Sequence, residues 1–523
     1  SVRRSTRSRV AAALLTLGLI PYARSAAQPA RAPFDVVLAN GRVVDPASGL
    51  DGVRHVGIRD GRIAALSRTP LRGTTVLDAT GLVVAPGFID LHSHGTELPA
   101  QRMQAFDGVT TALELEAGTL PVAAAYERAA REGRVLNYGF AAAWAFARVA
   151  ETIGMEPTGE ITFFQDAQRR TGWQYSVASP DMTARIVARV ERGLADGALG
   201  VGILAGYAPG YGRAEAFAIA QLAARYGVPT YTHTRSNSMI EPLSAFEAME
   251  EIVALAAATG AHMHVVHMNS SSGRDVGRIA ELLAGAQARG LRITTEAYPY
   301  GAGSTVVGAE LFRGEWRART GMTAADIERN GVPYTDSTLA EAQAREPGTW
   351  IVSHFLRPDR SPADQALLDR AVLFPGGAIA SDAMPWTLDG APLRGDVWPL
   401  PEKAFAHPRS AGTFTRFLRI YVRERQAVTL RDALARMTIV PARILESSVP
   451  QMRRKGRIEL GADADLVAFD LATISDMATY VAPNAAARGM RHVLVGGTPL
   501  IRDGAIDTAV RPGQPIRRAV TGR

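Results

Sequence analysis

Hydrophobic and polar positions fall into two alternating regimes along the chain. From residue 34, "FDVVLANGRVVD" and "HVGIRDGRIAAL" switch between apolar and polar residues and are punctuated by Asn40-Gly41 and Asp60-Gly61. Such alternation with such turn pairs predicts short strands and tight turns. "TTVLDATGLVVAPG" continues the pattern, and "KGRIELGADADLVAFD" and "RHVLVGGTPLIRDGAI" repeat it near the other end. Two β-rich flanks predict one small β-sandwich domain made from both chain ends, residues 34–84 and 448–510; two separate β appendages are the alternative. Between them, apolar runs at 86–92, 108–116, 136–144, 198–205, 229–234, 262–268, 292–299 and 378–382 alternate with helical patterns such as "AEAFAIAQLAARYG" and "RDVGRIAELLAGAQARG". Alternating strand and helix predicts a parallel sheet, and eight such units predict an α/β fold of the (β/α)8 TIM-like barrel type over 85–447. Periodicity alone also permits a doubly wound open sheet. A ninth run, "TWIVSHF" (349–355), is one too many and is assigned to an insertion at about 301–376.

The first residues follow a different rule. "SVRRSTRSRV" is basic, "AAALLTLGLI" is a short apolar core, and Ser25 and Ala27 occupy small-residue cleavage positions. That order predicts a signal peptide over 1–27 and an exported, periplasmic or secreted protein, with a membrane-anchored N-terminus as the alternative. Loss of its five arginines would lower the net charge from +7 to +2. The remaining arginines are interleaved with acids, so nucleic-acid binding is not implied. No other apolar run is long enough to span a bilayer, so no membrane domain is expected. The oligomeric state is not legible.

Composition then narrows the chemistry. The chain has no cysteine, which excludes disulfides and a thiol nucleophile, and only two lysines, Lys403 and Lys455. The predicted second barrel strand, "GVTTALELEAG", carries Glu114 and Glu116, two residues apart and therefore on one face. Buried carboxylates are costly unless paired or bound to a cation. His92 and His94 in "GFIDLHSHG" also share a face. His233 closes "VPTYTHTR", His267 closes "MHVVHMNS" and Asp382 closes "GAIASDAMPW". In a βα barrel those strand ends form the active-site rim. Four histidines and an aspartate on one rim make a nitrogen/oxygen site suited to zinc or a similar divalent ion.

"APGFIDLHSHG" resembles the first-strand motif of the amidohydrolase superfamily. "GALGVGILAGYAPG", "HTR", "YPYGAGST", "SDAMP", "HPRSAGTFTRFLRIYVRE" and "MTIVPARIL" are similar to its N-acyl-D-amino-acid deacylase (D-aminoacylase) branch, and the likeness covers roughly residues 34–505. The resemblance implies a barrel with a β-sandwich from both chain ends and a metal site at its mouth. His92, His94, His233, His267 and Asp382 match the family's ligand positions. Two positions depart. The branch uses a cysteine shortly after "GVTT", and related enzymes a carboxylated lysine; here a carboxylate must take that place. Glu116, nearer the strand end, is the favoured ligand. Glu114 is the alternative, or the partner of an arginine. The branch often has a lysine after the sixth-strand histidine, where this chain has Asn269. One or two Zn2+ are implied, and an oxygen bridge also admits Mn2+.

The implied reaction is hydrolysis of the amide of small N-acyl amino acids, of D configuration on the family's precedent, by metal-activated water. Asp382 is placed to carry the proton. Arg235 and Arg409 are candidates for the substrate carboxylate because the arginine fork matches carboxylates. Tyr207, Tyr300 and Ser304 match the family's mouth loops, and His354 is a candidate for a lid. Hydrolysis of a cyclic amide, a dipeptide or an ester or lactone is the alternative within the superfamily, and a non-catalytic barrel scaffold the remote one.

Overall fold

The computed structural model describes residues 33–160 and 162–521. The predicted leader, residues 1–27, lies outside the described residues. Eight parallel strands form the barrel: β1 Phe88–Asp90, β2 Val109–Thr119, β3 Asn137–Ala143, β4 Val201–Leu204, β5 Pro229–His233, β6 His262–Val265, β7 Ile293–Ala297 and β8 Ala378–Ile379. They pair in sequence order from β1 to β8. Each falls inside one of the eight predicted runs except β2, which continues three residues past 116 to Thr119. The seam between β8 and β1 closes just beyond the strands. Ser93 bridges Ala383, the His94 amide donates to Ala383 O (2.8 Å), and the Ser381 amide donates to Asp90 Oδ1 (3.0 Å). An open doubly wound sheet is thereby ruled out.

The barrel helices show why these segments fold as they do. The helix Pro180–Ala195 starts with Ser179, whose hydroxyl accepts the Met182 amide (3.2 Å), and with Pro180 in its first turn. It buries Ile186, Val190 and Leu194 at helical spacing. The helix Ala245–Thr259 has a reciprocal Ser244/Glu247 capping box and ends at Gly260 in the left-handed region (φ 71°).

The two β-rich flanks hydrogen-bond as one branched nine-stranded mixed sheet and not as two appendages. The joint is Val83–Pro86 against Leu466–Phe469, with Val467 opposite Ala85. Val36, Leu38, Val56, Ile58, Leu466 and Leu494 pack its core. Lys455, one of the two lysines, is buried where this sheet meets the barrel; its Nζ lies 2.6 Å from Asp465 Oδ2, which also accepts from Asn137 Nδ2 (3.1 Å).

Two further segments frame the site. Trp350–His354, the ninth run, pairs antiparallel with Ala302–Val306 in a small sheet separate from the barrel. At the opposite end, the chain beyond residue 510 runs along β3. The Ile516 amide donates to Tyr138 O (2.7 Å), the Tyr138 amide to Gln514 O (3.1 Å), and the Ile516 side chain joins Ile89, Leu113 and Leu199 in the barrel interior.

Candidate metal centre and its cavity

β2 is wholly buried along its length, glutamates included. What keeps them there is a set of imidazoles. Glu116 stands between two groups of donors. Its Oε2 lies 3.2 Å from His92 Nε2 and 3.3 Å from His94 Nε2. Its Oε1 lies 2.9 Å from both His233 Nδ1 and His267 Nε2. Asp382 Oδ1 completes the first group, 3.3 Å from His92 Nε2 and 3.5 Å from His94 Nε2. Glu114, one pleat lower, reaches the far nitrogen of His94 (Oε2 to Nδ1, 2.8 Å). No arginine pairs with Glu114 among the described residues; its other oxygen accepts the Gly118 amide (3.3 Å).

The backbone is shaped around these groups. His267 and Asp382 both sit at positive φ, 33° and 52°, a region that non-glycine residues enter rarely. β4 comes close to β2: a Cβ on Gly202 would lie 2.3 Å from Glu116 O. A Cβ on Gly206 would lie 2.6 Å from the His233 ring. The glycines of "GALGVGILAG" thus make room for the backbone that carries Glu116 and for the His233 ring.

The donor set fits a metal. Each imidazole of the His92/His94 pair has its Nδ1 on a carboxylate, Glu296 for His92 (2.6 Å) and Glu114 for His94 (2.8 Å). Donation to those carboxylates leaves the Nε2 lone pairs, 3.2 Å apart, facing two carboxylate oxygens. Such lone pairs repel unless a cation or protons sit among them. The ligand atoms of His92, His94 and Asp382 lie within 4.8 Å of one another, as do those of His92, Glu116 and His267. Proton equilibria carry the same mark. Burial pushes Glu116 up, but His92, His233 and His267 hold it well below the usual carboxylate range. Asp382 is likewise buried, yet Arg409 and His92 hold it at about 2. His92 and His94 stay well above the ordinary imidazole value against burial, through the acids around them. Burial lowers His267.

The centre opens into a cavity of about 550 Å³. Its inner end is His94, Glu116, His233, His267 and Asp382; Tyr207, Ser304 and Arg409 border it. Tyr207 bonds Thr305 Oγ1 (2.7 Å) and packs against His233, and Ser304 donates to Ile351 O (2.8 Å). Arg409 is buried, its NH2 2.8 Å from Asp382 Oδ2 and its Nε on Asp382 O (2.6 Å), while its NH1 has no hydrogen-bond partner among the described residues.

Four expectations are corrected. Arg235 borders the cavity, but its fork is filled: Nε and NH2 bond Glu251 (2.9 and 2.7 Å), NH1 bonds Pro209 O and Tyr211 O, and the plane lies 3.7 Å over Tyr211. Asn269 is turned away, tying down Tyr298 O and Tyr300 O (both 3.1 Å). Tyr300 is buried beside it, donating to Gly412 O (3.3 Å). His354 packs on Tyr480 and faces Glu328, clear of the cavity lining. The sequence reading missed Asp90, Ser381, Glu296 and His264. Asp90 takes the His92 amide (3.2 Å) and the Ser381 amide, which fixes the first-strand histidines to β8; burial raises it to about 7 against those bonds. A glutamate inside a buried strand was the signal for Glu296, as it was for "ELE".

Residues 83–500 match the amidohydrolase family model. The chain belongs to the amidohydrolase family. Within the family, this amidohydrolase is 30% identical to the N-acyl-D-glutamate deacylase of Alcaligenes xylosoxydans xylosoxydans, over 93% of this chain and 97% of that protein. It is 27% identical to the D-aminoacylase of the same organism, over 93% and 98%. The fold matches the crystal structure of N-acyl-D-glutamate deacylase from Bordetella bronchiseptica, complexed with zinc and a phosphonate inhibitor, with a TM-score of 0.73 at 24% identity over 93% of this chain and all of that one.

Proposed function

We propose that this amidohydrolase removes the acyl group from N-acyl-D-amino acids at a two-zinc centre bridged by Glu116. The observation that carries the reading is the bridging geometry: one oxygen of Glu116 faces His92 and His94, the other His233 and His267, at the floor of a cavity that Arg409 borders. The deacylase relatives support the substrate class. A divalent ion held by His92, His94, Glu116, His233, His267 and Asp382 would polarise the scissile carbonyl and lower the pKa of a water.

The chain supplies the rest. Asp382, ionised and pointing one oxygen at the histidines, accepts the proton of the attacking water and returns it to the leaving amine. Arg409 holds the other oxygen of Asp382 and offers NH1 to the substrate carboxylate. The residues of the predicted leader support an exported enzyme.

The test is amine release from N-acetyl-D- and N-acetyl-L-amino acids by zinc-reconstituted protein. Release confined to the D series is expected. No release from either series, with zinc bound, would move the reaction to cyclic amides, dipeptides or esters.

A further inference from the structure

Behind His92, a hydrogen-bonded chain of side chains, buried except for the half-buried Thr294, runs down the barrel interior. His92 Nδ1 is 2.6 Å from Glu296 Oε1, and Glu296 Oε2 is 3.1 Å from His264 Nε2. His264 Nδ1 is 2.8 Å from Thr294 Oγ1, which is 2.8 Å from His262 Nε2. His262 and His264 alternate on β6 with Thr294 and Glu296 on β7, all on the inward face of the strands. None of these four residues faces the cavity.

The polarity of the chain is determined by its members. Glu296, ionised, can only accept, so His92 donates from Nδ1 and His264 from Nε2. With its Nε2 donating to Glu296, His264 is placed to accept at Nδ1 from the Thr294 hydroxyl. That hydroxyl has one proton, so Thr294 Oγ1 in turn accepts from His262 Nε2–H. Burial keeps His262 neutral, lowering it to about 3, and its Nδ1 ends the chain without a partner. Every bond points toward Glu296, so the chain fixes the His92 proton on Nδ1 and turns Nε2 toward Glu116 and Asp382.

We propose that Glu296, fixed by His264, is a positioning residue that locks the tautomer and orientation of His92 and thereby sets metal affinity on the His92/His94 side of the centre. The inference rests on the reading of that centre as a metal site. Glutamine at 296 has one acceptor oxygen for two donors, so one histidine must lose its bond. Leucine at 264 strips the second donor from a buried carboxylate. Glutamine at 264 keeps an N–H for Glu296 and an oxygen for Thr294.

The experiment is zinc titration of the full chain against a chelating indicator, for the wild type and for Glu296→Gln, His264→Leu and His264→Gln, with thermal unfolding of the metal-free proteins alongside. Losses of about 10- to 100-fold at one of the two zinc sites are expected for Glu296→Gln and His264→Leu, the range typical of outer-shell partners of metal-bound histidines. The other zinc site and His264→Gln should stay within about 3-fold of wild type. Equal affinities in wild type and folded Glu296→Gln would overturn the proposal, as would equal losses in His264→Leu and His264→Gln. If Glu296→Gln does not fold, the two His264 variants decide the matter alone. A wild type that binds no zinc would instead refute the metal centre itself.

Discussion

At the residue scale, two arginines beside one cavity have opposite uses. Arg235 spends its fork on Glu251 and two carbonyls; Arg409 keeps one nitrogen free. Arg409→Met should therefore raise KM for an N-acyl amino acid by about 10- to 100-fold, the worth of one hydrogen bond to a charged group. Arg235→Met should leave KM close to wild type and destabilise the fold by about 1–3 kcal/mol, because the Pro209 and Tyr211 carbonyls lose their donor while Glu251 keeps Arg213 (2.7 Å). Steady-state kinetics and denaturant unfolding separate the two outcomes. Asp382→Asn should lower kcat by about 10²–10⁴-fold as the proton carrier is removed. Near-normal turnover with metal retained would end that role. The histidines and acids proposed to hold the metal were legible in the sequence because a metal demands such side chains at strand ends. Arg235 was not, because the competing demand came from Glu251, a helix residue that no local pattern links to it.

At the scale of elements, β2 shows what a period of two can and cannot tell. It places Glu114 and Glu116 on one face. It does not say which carboxylate reaches the Nε2 atoms and which the back of His94, since that depends on how far up the barrel each pleat lies. β7 carries the same kind of signal in "ITTEA", where Glu296 serves His92 from behind. Tyr300 matches a mouth loop of the family and Asn269 stands where the branch often has a lysine, yet both turn inward to join the β7 loop to its neighbours. The segment after residue 510 was not placed by its own pattern. Its Ile516 enters the barrel core from the end away from the metal centre. Ile516→Ala should cost about 2–5 kcal/mol in denaturant unfolding, the range for a buried large-to-small change, with zinc affinity unaltered.

At the scale of the whole molecule, the α/β alternation and the pairing of the two flanks were readable because each follows from a short hydrophobic period. Closure of the barrel was not: it depends on Ser93 meeting Ala383 across nearly the full barrel sequence. That closure brings Asp382 from the last strand against His92 and His94 from the first, and so creates half of the centre. The other half comes from β5 and β6, and Glu116 joins the two. The most direct test of this arrangement is anomalous X-ray scattering from crystals of the zinc-loaded enzyme. A glutamate-bridged centre predicts two zinc peaks, one on each side of the Glu116 carboxylate, with Glu114 in contact with neither. A single peak, or a zinc ligated by Glu114, would contradict it.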